Sequence, residues 1–71
     1  MIVNIKIKAD EYKLLNLLNK FSKSYHIKFG LARLNGDFNL TIKNVAENDF
    51  GELIRRLKIS NFKFSIKGVE N

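Results

Sequence analysis

The 71 residues predict an α+β sandwich in which a four-stranded antiparallel sheet carries two helices on one face. Three observations predict it. Two stretches, "VNIKIK" at 3–8 and "FKFSIK" at 62–67, alternate apolar and polar residues at the period of a half-buried strand. Two others place large apolar residues at i, i+3, i+4 and i+7, the stripe of an amphipathic helix. Between those helices Asn35-Gly36 marks a hairpin, because a two-residue type I′ turn needs positive φ at both central positions.

The first strand covers about residues 2–8, with Val3, Ile5 and Ile7 on one side and Asn4, Lys6 and Lys8 on the other. Asp10 is a good N-cap for the helix that follows, and Glu11 suits the positive end of its dipole. Leu14, Leu17, Leu18 and Phe21 form the apolar stripe. Lys20 and Lys23 stand near the helix end, where cations are favoured. In the hairpin, a two-residue turn sets Leu34 opposite Asp37, Ala32 opposite Asn39, Gly30 opposite Thr41 and Lys28 opposite Lys43. On the other face it sets Leu31 against Leu40 and Phe29 against Ile42, so apolar residues meet apolar ones.

The second helix runs from Val45 or Asn48 to Lys58, with Phe50, Leu53, Ile54 and Leu57 as its stripe. Asn44, with Glu47 three residues on, offers a capping box, and Asn48 is the competing cap. Gly51 costs the helix about 1 kcal/mol relative to alanine, which a close approach to the sheet would rationalise. The fourth strand is the 62–67 stretch, ending near Gly68. Two right-handed β-α-β crossovers joined by a hairpin give the ferredoxin-like sandwich, strand order 4-1-3-2, as one domain over residues 1–71.

That topology leaves one sheet face uncovered. It should carry Asn4, Lys6 and Lys8 from the first strand and His26, Lys28, Gly30 and Ala32 from the second. Asp37, Asn39, Thr41 and Lys43 follow from the third, and Asn61, Lys63, Ser65 and Lys67 from the fourth. Six lysines (6, 8, 28, 43, 63 and 67) then share the face with a single acid, Asp37. Outside it, Arg55, Arg56 and Lys58 crowd the end of the second helix and Arg33 stands beside the hairpin tip. Arginine reaches phosphate or carboxylate with two donors at once, so Arg33, Arg55 and Arg56 join the candidate contacts.

Thirteen Lys and Arg against seven Asp and Glu give a net charge of +6. That excess favours nucleic acid or an acidic protein surface as partner. Ten lysines, nine asparagines and eight isoleucines, with no proline or tryptophan, also match the codon bias of an AT-rich genome. Without cysteine there is neither disulfide nor thiolate metal site, and no metal or cofactor is expected. No apolar run reaches the roughly 18 residues of a membrane span, and a cytoplasmic location is the expectation.

Known proteins of this topology sharpen the functional reading. RNA-recognition-motif proteins stack bases on aromatic residues of the two central strands. Here Lys6, Lys8, Asn39 and Thr41 take those positions, so contacts to phosphate rather than to bases are implied. Acylphosphatases carry a glycine-rich loop after the first strand, but "KIKADEY" has no glycine. Heavy-metal-binding domains carry paired cysteines there. CRISPR-adaptation nucleases carry an aspartate at the end of that strand, and capping already accounts for Asp10. His26 has no second histidine to act with.

The expectation is a small non-catalytic binding protein that contacts nucleic-acid phosphates through its lysine face. Two alternatives stand beside it. One is a phage or mobile-element inhibitor of a host nucleic-acid-handling complex, similar in kind to anti-CRISPR proteins. The other is a self-associating module, a homodimer paired through an edge strand.

Overall fold

Alternation and helical stripes become six elements in the computed structural model, which describes residues 1–70. They are β1 (Ile2–Lys8), α1 (Glu11–Tyr25), β2 (Lys28–Leu34), β3 (Asp37–Lys43), α2 (Glu47–Ile59) and β4 (Lys63–Glu70). The sheet order is β2-β3-β1-β4, every neighbouring pair antiparallel. This is the ferredoxin-like sandwich. Asn35 and Gly36 take φ of 51° and 84°, as a type I′ turn requires, and the β2–β3 register runs unbroken from Lys28↔Lys43 to Leu34↔Asp37.

The core is drawn chiefly from the two central strands. Val3, Ile5 and Ile7 of β1 and Phe38, Leu40 and Ile42 of β3 are buried against Leu14, Leu18 and Phe21 of α1 and Leu53 and Leu57 of α2. The edge strands contribute less, because two helices cannot fully cover four strands. Phe29, Leu31 and Phe64 are half-buried, and Ile66 is exposed although it faces the helix side opposite Ile5.

Asp10 caps α1 as expected, its carboxylate accepting from the Lys13 amide at 3.1 Å. Elsewhere the ends of elements differ from the sequence reading. His26 is no part of β2: it takes φ 54° as the left-handed cap that ends α1. Asn61 likewise turns the chain at φ 60°, ahead of β4.

Neither Asn44 nor Asn48 caps α2. The N-cap is Ala46, which makes no side-chain capping bond. Asn44 is instead held at φ 59°, which re-aims the chain so that Val45 exchanges hydrogen bonds with Met1 at 3.1 Å in both directions. Asparagine tolerates that left-handed geometry better than most residues. Gly51 makes no close approach to the sheet either. A Cβ there would meet nothing within 4 Å, and the position is exposed.

Candidate anion-binding face

Antiparallel pairing sets which lysines become neighbours on the uncovered face. All six candidates (Lys6, Lys8, Lys28, Lys43, Lys63 and Lys67) are exposed there. They form two groups. Lys28 and Lys43 stand directly opposite each other at one corner of the sheet. Lys8 stands directly opposite Lys63 at the other end of β1, with Lys6 and Lys67 on the same side of the sheet. At a rise of about 3.3 Å per residue, the two groups are roughly 20 Å apart along the strands.

Little negative charge answers them. Lys6 Nζ lies 3.4 Å from Asp37 Oδ2, an ion pair across the β1–β3 ladder. Lys8 and Lys63 have no ion-pair partner among the described residues, and like charges directly opposite destabilise an antiparallel pair. Between the two lysine groups the face is neutral and polar. Thr41 Oγ1 donates to Asn4 Oδ1 at 2.9 Å across the same ladder, which stiffens the centre of the face.

Lys67 stands on the face as the alternation predicts, but at an irregularity that the alternation does not show. The β1–β4 register shifts between Asn4 and Ile5: Ile5 pairs with Ile66, but Asn4 pairs with Gly68. Lys67 is therefore the extra residue of a β-bulge. Its side chain borders both the shallow depression lined by Lys6, Lys8, Asp37 and Lys63 and the one lined by Asn4, Asn39 and Thr41. Past the bulge the alternation is inverted, and Glu70 comes to the open face opposite Ile2. Asp37 is thus not the sole acid on this side. A glycine inside an alternating strand is the signal that could have revealed the bulge.

The three arginines are placed elsewhere and are engaged. Arg33 pairs across the ladder with Phe38, on the helix side of the sheet. There its guanidinium hydrogen-bonds Glu11 of α1 and sits 5.5 Å from the centre of the Phe38 ring. Arg55 and Arg56 share Glu52. Arg55 donates from Nε at 2.9 Å and from its terminal nitrogen at 2.6 Å, and Arg56 donates from Nε at 3.1 Å. Those hydrogen bonds hold the Glu52 carboxyl down at about 2, against an ordinary 4.5. Arg56 also lies 5.4 Å over Phe21 and 5.5 Å over Tyr25, so it ties α2 to the end of α1. The i, i+3 and i, i+4 spacing of Glu52 to the two arginines was the available clue.

No aromatic side chain projects from the open face among the described residues, so nothing there offers a base a stacking platform. Among the same residues no three of His, Asp and Glu gather as metal ligands, and no helix is long and apolar enough to cross a membrane.

Comparison with known proteins gives a fold and no more. No protein-family model matches the chain, and no curated protein sequence does. Among solved structures, prephenate dehydratase from Staphylococcus aureus superposes with a TM-score of 0.71 at 17% identity, over 99% of this chain and 30% of that one. A chain of the complex between the Aeromonas sobria serine protease and its chaperone gives 0.56 at 17% identity, over 96% of this chain and 64% of its own. The designed protein Foldit4 gives 0.54 at 14% identity, over 99% and 97%. This chain thus spans less than a third of the dehydratase it resembles. Likeness at such identity, shared with a protein designed from scratch, establishes the sandwich and leaves the chemistry to the residues.

Proposed function

We propose that this is a non-catalytic nucleic-acid-binding protein of the cytoplasm that grips phosphates with its open sheet face. The observation that carries the reading is the Lys8–Lys63 opposition, with Lys6 and Lys67 beside it and Asp37 the nearest counter-charge. Such a group repels itself until anions arrive, and the phosphates of a nucleic-acid strand supply them in series. With no aromatic side chain among the contacts, binding depends on charge and backbone shape and discriminates weakly between sequences.

Salt tests it. Four lysine–phosphate contacts give a slope of log K against log salt of about −3 for single strands and about −3.6 for duplex. Fluorescence anisotropy with unrelated DNA and RNA oligonucleotides, titrated across salt, measures that slope. Exchanging Lys8 and Lys63 for glutamine should reduce its magnitude by about 0.7–0.9 per lysine. Absence of binding at low salt, or binding indifferent to salt, would end the proposal.

One observation favours the second reading, a protein-binding inhibitor of a host complex. Tyr12 stands 88% exposed on α1, bordering a groove it shares with Leu15 and Asn16. Exposed tyrosine is a frequent anchor of protein interfaces. On this reading Tyr12→Ala abolishes capture of a host protein, while charge reversal of Lys8 leaves that capture intact.

A further inference from the structure

Among the described residues both edges of the sheet carry backbone groups with no neighbouring strand, but one edge is guarded along its length and the other only at one end. On β4, Lys63 and Lys67 line the rim and the bulge at Lys67 breaks the regular ladder, two devices that discourage a further strand. On β2 the one lysine, Lys28, stands at the first position of the strand, and no bulge interrupts the ladder. Its pairing to β3 is regular over all seven residues, and the central open-face positions within it, between Lys28 and Leu34, are Gly30 and Ala32, both small and exposed.

The turn decides which groups point outward. A two-residue hairpin makes Leu34–Asp37 a hydrogen-bonded pair, so Ala32, Gly30 and Lys28 also spend their N–H and C=O on β3. Phe29, Leu31 and Arg33 then direct theirs away from the sheet.

We infer that β2 is a self-pairing edge, and that two copies of this chain join antiparallel about a two-fold axis at Leu31 to form one eight-stranded sheet. The inference deepens the proposed function, because it states how the phosphate-binding face is completed. Only this register overlaps the whole strand with its outward groups matched: Leu31 meets Leu31, and Phe29 meets Arg33 of the second copy. About six main-chain hydrogen bonds result. Centring on Arg33 would oppose two arginines, and centring on Phe29 would overlap little more than three residues.

Charge agrees with the chosen register. Lys28 falls opposite the second copy's Leu34, which is 55% exposed and can take the lysine's methylene stem. Gly30 falls opposite the second copy's Ala32, and no like charges are opposed. Beyond Leu34 come its ladder partner Asp37 and then Lys8, one step past the Ile7↔Phe38 pair. Lys28 therefore approaches to about three strand spacings, about 14 Å, of the second copy's Lys8. The Lys28–Lys43 pair, isolated in a single copy, is brought to the same end of the joined sheet as the other copy's Lys8–Lys63 pair, with that copy's Asp37, already paired to Lys6, between them.

Sedimentation velocity without nucleic acid tests the pairing apart from the binding reading. The wild type should sediment as a dimer. Doubly substituted Gly30→Lys/Ala32→Lys opposes lysines across the axis and should be monomeric, as should Gly30→Glu/Ala32→Glu. An equimolar mixture of the two should restore the dimer, which misfolded variants would not do. In the wild type, amide exchange at Phe29, Leu31 and Arg33 should slow as concentration rises. A monomeric wild type, a dimeric lysine variant, or exchange at those amides independent of concentration would overturn the inference. So would a wild type that stays monomeric and accepts an extended foreign peptide on β2. The lysine variant keeps every candidate lysine, so phosphate binding by a monomer remains measurable on its own.

Discussion

Replacing Gly51 with alanine should stabilise the protein by about 1 kcal/mol. The magnitude follows from what surrounds the position. Gly51 lies in the interior of α2, on its exposed side, and a Cβ added there meets nothing within 4 Å. No packing is lost or strained, which leaves the backbone entropy that glycine surrenders on entering a helix. Alanine also restricts the unfolded chain, the same effect counted from the other side. In a domain of this size about 1 kcal/mol moves the thermal midpoint by roughly 4–8 °C. With a urea dependence near 1 kcal/mol per molar, the urea midpoint rises by about 1 M. Far-UV circular dichroism during heating and urea titration reads both. Gly36→Ala is the control of opposite sign: at φ 84° a side chain is strained, and a loss of about 1–2 kcal/mol is expected. An unchanged or lowered midpoint for Gly51→Ala would refute the reasoning, since something would then have to sit close against α2 at that point.

Lys63→Glu turns the opposed Lys8–Lys63 pair into an attractive one, and on the edge strand it meets no acid on its other side, so stability at low salt should rise by about 0.2–1 kcal/mol while affinity for oligonucleotides falls. Urea melts and anisotropy on the same sample separate the two effects. Leu53→Ala empties a fully buried site in α2 and should cost about 2–5 kcal/mol, close to the whole stability of so small a domain, as read by urea unfolding. Glu52 titrates in the folded chain at about 2, below its ordinary 4.5. Its pairing with Arg55 and Arg56 is therefore complete above about pH 4.5 and is lost as pH falls towards 2. A carboxyl-carbon NMR titration should give that midpoint, and Glu52→Gln should remove the corresponding acid-side loss of stability.

How far the sequence could be read depended on whether a feature was set locally. The β2–β3 register followed from Asn35-Gly36 alone, because the turn geometry admits one pairing. The core stripes were legible because a one-residue slip would expose every apolar side chain. The β1–β4 register had no such anchor. Those strands are joined by the whole intervening chain, so the meeting of Lys8 with Lys63 and the bulge at Lys67 emerged only from the assembled sheet. Capping failed in both directions at α2, where Asn44 is occupied with turning the chain out of β3. The partners of the arginines are hidden in the sequence for a related reason. Their charge is visible in the sequence, but their pairing with Glu11 and Glu52 depends on which face each side chain takes.

Edge protection offers a competing account of the open face, and the strand order separates the two. Lysines guard sheet edges against stray pairing, which suffices for Lys63 and Lys67 on β4 and for Lys28 on β2. It does not reach Lys6 and Lys8 on β1 or Lys43 on β3, because those strands are central and have no free edge. Solvation alone does not require them either, since Asn4, Asn39 and Thr41 wet the same two strands without charge. A lysine set directly against another, as Lys8 is against Lys63 and Lys43 against Lys28, costs the fold stability that an asparagine would not. The half of the lysine set on the central strands is therefore the half that an anionic ligand explains and edge protection does not. On that ground the decisive comparison is between Lys6 and Lys8 neutralised together and Lys63 and Lys67 neutralised together. If the lysines act only as guards, the first pair of substitutions leaves oligonucleotide affinity and its salt slope unmoved. If they hold phosphates, both pairs lower the salt slope alike.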